Sequence, residues 1–194
     1  MFKAGVIGAV TMSLFLPQLC RAAGALAFIA GLALPVAAAE PVRDFRFAGI
    51  EGGELRLQDW AGHPVLVVNT ASLCGFTPQY DDLQALHDRY AERGLVVLAV
   101  PSDDFRQELA SAEEVRKFCA VNFDLTIPMT EITHVRGPEA HPFYRWLAEA
   151  HGFTPAWNFN KVLIGPEGEV LGTWGSTVKP QAQAIVSRIV PLLD

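Results

Sequence analysis

The chain has 194 residues, 51% of them hydrophobic and 19% charged, with a formal net charge of −6; that is enough for one domain around one core. An acidic balance with no basic patch argues against a nucleic-acid partner and for a soluble body. The five histidines, His63, His87, His134, His141 and His151, are scattered without ligand spacing, so neither a metal nor another cofactor is expected.

In chain order, Lys3 opens a long apolar stretch interrupted from Pro17 to Arg21, after which Ala22 to Ala39 is apolar again and ends in Ala37-Ala38-Ala39. Small residues there fit an export cleavage site before Glu40, with Met12 as an alternative start and Arg21 as the positive flank. The expectation is a leader over 1–39 and a folded domain over 40–194, exported to a bacterial periplasm. The alternative is an uncleaved anchor, since Ala22 to Ala39 is near the shortest length that spans a membrane, although it contains Pro35. Cys20 follows Leu19 and lacks the small neighbour expected before a lipid-modified cysteine, so it reads as leader. Lys3 and Arg21 are the leader's only charges, so its removal leaves a more acidic chain with two cysteines, Cys74 and Cys119.

Val42 to Leu57 alternates weakly around Gly52-Gly53 and predicts an opening β-hairpin. Val65 to Asn69 is aliphatic on both faces, the pattern of a covered parallel strand. A helix is expected from about Pro78 through Glu92, with Leu83, Leu86 and Tyr90 on one face and Gly94 at its end. Leu95 to Val100 reads as a second buried strand, parallel to the first. Ser111-Ala112-Glu113-Glu114 is a capping box that opens a helix carrying Phe118 and Cys119. Pro138 to Ala150 reads as another helix, Lys161 to Ile164 and Glu169 to Trp174 as a hairpin joined at Pro166-Glu167-Gly168, and Pro180 to Leu193 as a closing helix. This order, βαβ followed by helix, hairpin and helix, predicts an α/β thioredoxin-like fold, with a central mixed sheet flanked by helices and an N-terminal hairpin.

Cys74 falls between the first buried strand and its helix, in the crevice where open α/β sheets place their chemistry. Backbone N–H groups at a helix start favour an anion, which suits a nucleophilic thiolate. A buried, inert cysteine is the plain alternative, because free cysteines are among the most buried residues.

Three separated motifs weigh that choice: Val68-Asn69-Thr70-Ala71-Ser72-Leu73-Cys74-Gly75-Phe76-Thr77, then Gln107-Glu108, then Trp157-Asn158-Phe159-Asn160-Lys161. In this order the chain resembles the glutathione peroxidase family over nearly all of Glu40 to Asp194. The resemblance implies a peroxidase whose catalytic tetrad is Cys74, Gln107, Trp157 and Asn158. Thiolate attacks the O–O bond, and two amides and an indole N–H are neutral donors able to stabilise both sulfur anion and departing oxygen. It further implies that Cys119 is the resolving cysteine of the thioredoxin-dependent, cysteine-type branch, and that the short segment from Pro128 to Pro142 marks a monomer without an oligomerisation loop. Peroxide would then oxidise Cys74 to sulfenic acid, Cys119 would condense with it, and a thioredoxin-like protein or glutathione would restore both. Cys119 and the lack of a basic glutathione patch favour the protein reductant.

The chain departs from the family around the glutamine. The family pattern Phe-Pro-Cys-Asn-Gln-Phe-Gly-x-Gln-Glu-Pro stands here as Val100-Pro101-Ser102-Asp103-Asp104-Phe105-Arg106-Gln107-Glu108-Leu109, one residue shorter between Phe105 and Gln107. The shorter loop is expected to shift Gln107, and Asp103 and Asp104, if close, would oppose a thiolate at Cys74. Lys161 is read either as a source of positive potential near the sulfur or as a surface lysine. Two other readings stay open. A thiol–disulfide oxidoreductase would need a second cysteine where Thr77 stands, and a peroxiredoxin would need a threonine at Ala71. A non-enzymatic binding or redox-sensing domain would keep Cys74 and Cys119 as a permanent disulfide, the commoner use of a cysteine pair in an exported protein.

Overall fold

Strand β3 (Val65–Thr70) is buried at every position and forms the centre of the fold. The structure, a computed structural model, describes residues 44–194, so the leader, its cleavage and its anchor alternative lie outside the described residues. β3 pairs in parallel with β4 (Val96–Pro101) and antiparallel with β5 (Lys161–Ile164), which pairs antiparallel with β6 (Val170–Trp174). The resulting order β4-β3-β5-β6 is the predicted mixed sheet, and the expected N-terminal hairpin is β1 (Arg46–Ala48) against β2 (Glu54–Arg56).

Alternation along β3 divides the interior into two cores. Leu66 and Val68 point to the side of Tyr80, Leu83, Leu86, Cys119, Ile185 and Ile189. Val65 and Val67 point to the side of Phe47, Phe143, Leu147, Val162 and Ile164. Helices therefore cover both faces of the sheet, and each fully buried Leu or Phe contributes about 1.5–3 kcal/mol of transfer free energy. Helix α1 (Gln79–Tyr90) buries Tyr80, Leu83, Leu86 and Tyr90, the face read from its spacing. A 3₁₀ turn follows, and Gly94 ends it at φ +95°, a left-handed conformation that favours glycine.

Helix α2 (Ala112–Phe123) begins as expected, with Ser111 Oγ accepting from the Glu114 N–H at 3.2 Å. Val115 and Cys119 of α2 are fully buried, and half-buried Phe118 and Phe123 pack beside them, the Phe123 ring 5.2 Å from that of Tyr80. Helix α3 (Pro142–His151) starts four residues later than predicted. Pro142 has no N–H to continue a helix and disfavours helical geometry at His141, so Gly137 to Ala140 forms a turn instead, with Gly137 at φ +79°. The closing helix α4 (Gln183–Ile189) is likewise shorter than expected, and a 3₁₀ turn containing Pro191 replaces its last part.

Candidate active site

Past β3, residues 71–78 run through turns that deliver Cys74 to the start of α1. The Thr77 hydroxyl organises them, donating to Ala71 O at 2.9 Å and accepting the Cys74 N–H at 3.0 Å. The Phe76 N–H then points at Cys74 Sγ, 3.4 Å away, so a backbone donor faces the sulfur. Cys74 is 7% exposed, and the thiol is shielded yet next to the highly exposed Leu73.

Asn69 brings the distant Trp157–Asn160 segment to the end of the same strand. Its Nδ2 donates to Trp157 O at 3.0 Å and its Oδ1 accepts the Asn160 N–H at 3.1 Å, while its main chain bonds to Asn160 and Phe159. Phe159 adopts φ +59°, a costly conformation for an aromatic residue, held by bonds on either side. Trp157 remains 41% exposed, its ring 5.3 Å from that of Phe105 and tilted by 51°.

Gln107 arrives from the β4–α2 loop. Its carbonyl accepts the Leu73 N–H at 2.8 Å, directly beside Cys74, and its Oε1 accepts from Asn158 Nδ2 at 3.0 Å. That bond leaves the Gln107 NH₂ free to donate elsewhere. The structure thus joins Gln107 to Asn158 and ties both, with Trp157, to the strand and loop that carry Cys74. The shortened loop does not remove Gln107 from this cluster, because Arg106 takes φ +56° and donates its N–H to Asp103 O at 2.8 Å, closing a tight turn.

The two acids are committed elsewhere. Asp104 accepts from His134 Nδ1 at 2.7 Å and from the Val135 and Arg136 N–H groups. The carboxylate beside it raises the pKa of His134. Asp103 Oδ1 accepts the Glu108 N–H at 3.1 Å. Lys161 is not a surface lysine: it is fully buried, with Nζ donating to Gln79 Oε1 at 2.6 Å and to the Val178 carbonyl at 2.7 Å. Burial pulls its pKa down to about 8. It cross-links the start of α1 to the loop after β6.

Cys74 and Cys119 are both free and buried, and no disulfide joins them. Burial pushes the Cys119 thiol up to about 11. Sequence reasoning overlooked Asn69, Thr77 and Glu108 as organising residues. Thr77 carried a visible signal, a hydroxyl three positions after Cys74 at a helix entrance; the Asn69 contacts span about ninety residues and carried none.

A sequence model of the glutathione peroxidase family matches residues 42–148. The hydroperoxy fatty acid reductase gpx1 of Synechocystis sp. is 38% identical over 147 residues, covering 70% of this chain and 87% of that one. The crystal structure of T. cruzi GPX1 superposes with a TM-score of 0.62 at 26% identity, covering 79% of this chain and 96% of that one. A thiol:disulfide interchange protein DsbE from Chlorobium tepidum shares the fold alone, with a TM-score of 0.58 at 21% identity over 79% of this chain and 95% of that one.

Proposed function

We propose, for a chain that belongs to the glutathione peroxidase family and is a hydroperoxide-reducing oxidoreductase, that Cys74 is the thiol that attacks peroxide. The observation that carries this reading is the convergence of Gln107, Trp157 and Asn158, from two remote segments, on the turn that holds Cys74. A thiolate at Cys74 attacks the distal peroxide oxygen, the O–O bond breaks, that oxygen stays on sulfur as sulfenic acid, and the proximal oxygen takes up a proton and leaves as alcohol or water. The Phe76 N–H supports charge on the sulfur, and the free NH₂ of Gln107, oriented by Asn158, supports the leaving oxygen. Trp157, half-exposed beside Phe105, supplies an indole N–H and an apolar edge to the site entrance. That edge, together with exposed Leu73 next to Cys74 in the chain, favours organic hydroperoxides with an acyl chain, in keeping with the hydroperoxy fatty acid reductase to which the chain is similar.

Cys119 resolves the sulfenic acid as a disulfide, so the enzyme is of the cysteine type and is recycled by a thioredoxin-like dithiol, with glutathione as the alternative reductant. The Cα atoms of a disulfide lie within about 7 Å, and we infer that α2 shifts or unwinds to present the buried Cys119 thiol to Cys74. The exposure of most of α2 supports this, since only Val115 and Cys119 are fully buried, although opening would also part Phe118 and Phe123 from the core they pack on. The protein acts as a monomer. Residues 1–39 direct export or anchor the domain 40–194 at the membrane, so that it works in an oxidising compartment supplied with its own reductant.

Replacing Cys119 by serine is expected to preserve the first turnover with peroxide and abolish dithiol-supported recycling, read as reductant consumption after one equivalent. Unchanged steady-state recycling in Cys119→Ser would exclude Cys119 as the resolving residue.

A further inference from the structure

Between the end of β3, α1 and the loop before α2 lies a buried group of polar side chains that peroxide reduction at Cys74 does not use. Thr70 Oγ1, Ser72 Oγ, Tyr80 OH and Glu108 Oε2 are all buried without a hydrogen-bond partner. Four such atoms in one region are costly, since each unsatisfied group retains its desolvation penalty. Glu108 is 8% exposed; its Oε1 accepts the Ser72 N–H at 3.0 Å and the Leu109 N–H at 2.8 Å, leaving Oε2 turned into the interior. The fully buried Tyr80 hydroxyl stands beside the Thr70 hydroxyl and the Cys119 thiol without closing a well-formed bond to either. Glu108 is near enough for its charge to disfavour ionisation of both Tyr80 and Cys119. From α2 itself, Arg116 is drawn to Glu51, 3.8 Å away on the surface. Among the described residues no cation pairs with Glu108; the groups that face it are the Ser72 hydroxyl and the like charge of Asp103.

We propose that the Glu108 carboxylate, reached through the Tyr80 hydroxyl, takes the proton from the Cys119 thiol when that thiol attacks the sulfenic acid of Cys74. The assignment rests on Cys119 being the resolving residue. In the step, the Cys119 S–H bond breaks as the S–S bond forms, the S–O bond of Cys74 breaks, and the departing hydroxide recovers the proton as water. Cys119 sulfur is oxidised and Cys74 sulfur reduced, so no further reactant enters. The problem solved is specific to this thiol. Burial leaves Cys119 almost wholly protonated at neutral pH, and a neutral thiol is a poor nucleophile. Burial also raises the basicity of Glu108 above that of an exposed carboxylate, while the Ser72 hydroxyl beside it and the two N–H donors on Oε1 favour its charged form.

The test follows single turnovers of reduced full-length protein with one equivalent of hydrogen peroxide, quenched over time and over pH 5 to 10, with Cys74 sulfenate and the Cys74–Cys119 disulfide quantified by mass spectrometry. In Glu108→Gln the ratio of the disulfide-forming rate to the sulfenate-forming rate is expected to fall about a hundredfold at neutral pH. The wild-type disulfide rate should level off once the carboxylate is ionised, whereas in Glu108→Gln it should keep climbing into the alkaline range where Cys119 itself titrates. Tyr80→Phe, which deletes one unpartnered hydroxyl, should lower the same ratio and serves as the second variant if Glu108→Gln does not fold. Ratios within about twofold of wild type in both, with unaltered pH profiles, would overturn the assignment. Absence of the disulfide from the wild type would overturn the resolving role of Cys119 and this assignment with it.

Discussion

In the proposed mechanism much of the chemistry turns on one amide, that of Gln107. Its carbonyl is tied to Leu73 and its Oε1 to Asn158, so its NH₂ is the group left to meet developing charge on oxygen. Removing one preorganised donor of this kind costs about a hundredfold or more in rate. Gln107→Ala is therefore expected to slow the second-order reaction with peroxide about a hundredfold, measured by stopped-flow on the reduced protein, and to cost about 1 kcal/mol of stability as the buried Asn158 amide loses its acceptor. A rate close to wild type would remove Gln107 from the reaction. Its place was only partly legible in sequence. The Gln107-Glu108 pair was recognisable, yet the missing residue before it predicted displacement, and the compensating left-handed Arg106 has no sequence signal, since arginine rarely adopts that conformation.

At the scale of elements, the site depends on β3 delivering Cys74 at one end and holding the Trp157–Asn160 segment beside it through Asn69. Asn69→Ala breaks two buried hydrogen bonds and leaves Trp157 O and the Asn160 N–H unpaired, which is expected to cost about 2 kcal/mol. Thermal unfolding should show a melting temperature lowered by roughly 4–8 °C, together with slower peroxide reduction as Trp157 and Asn158 lose their position. An unchanged melting temperature and rate would show that the segment holds itself in place. The strands and α1 were legible because their apolar periodicity is strong and local. The start of α3 was not, because Pro138 and Pro142 both suit a first helical turn; Pro142 bars the earlier start, and the His141 side chain, accepting from the Phe143 N–H, caps the later one. The sequence left Lys161 open between a charge near the sulfur and a surface lysine, because the acceptors that bury it, Gln79 and Val178, come from distant elements.

For the whole molecule, two buried groups set opposing pH dependences of stability. Lys161 titrates near 8 in the folded state and near its ordinary 10.5 when unfolded, so the unfolded chain holds more protons between these values and stability rises with pH. Cys119 is shifted the other way, from 9 to about 11, so the folded chain holds more protons there and its contribution is lost as pH rises from 9 to 11. Urea unfolding of reduced wild type and Cys119→Ser isolates the second effect. The stability of Cys119→Ser relative to wild type should increase across pH 9 to 11, with a slope of at most about 1.4 kcal/mol per pH unit. A constant difference would mean that Cys119 is not held as a thiol in the interior.

Fold alone does not separate peroxide reduction from disulfide exchange, since this sheet and its helices are shared with a thiol:disulfide interchange protein. The chemistry at Cys74 does. Stopped-flow mixing of the fully reduced protein with hydrogen peroxide, in wild type and Cys74→Ser, tests it most directly. Wild type is expected to consume peroxide orders of magnitude faster than a free thiol and to carry the first oxidation on Cys74, while Cys74→Ser falls to the free-thiol rate. Equal rates in the two proteins, or first oxidation at Cys119 in the wild type, would contradict the assignment of Cys74 as the peroxide-reducing residue.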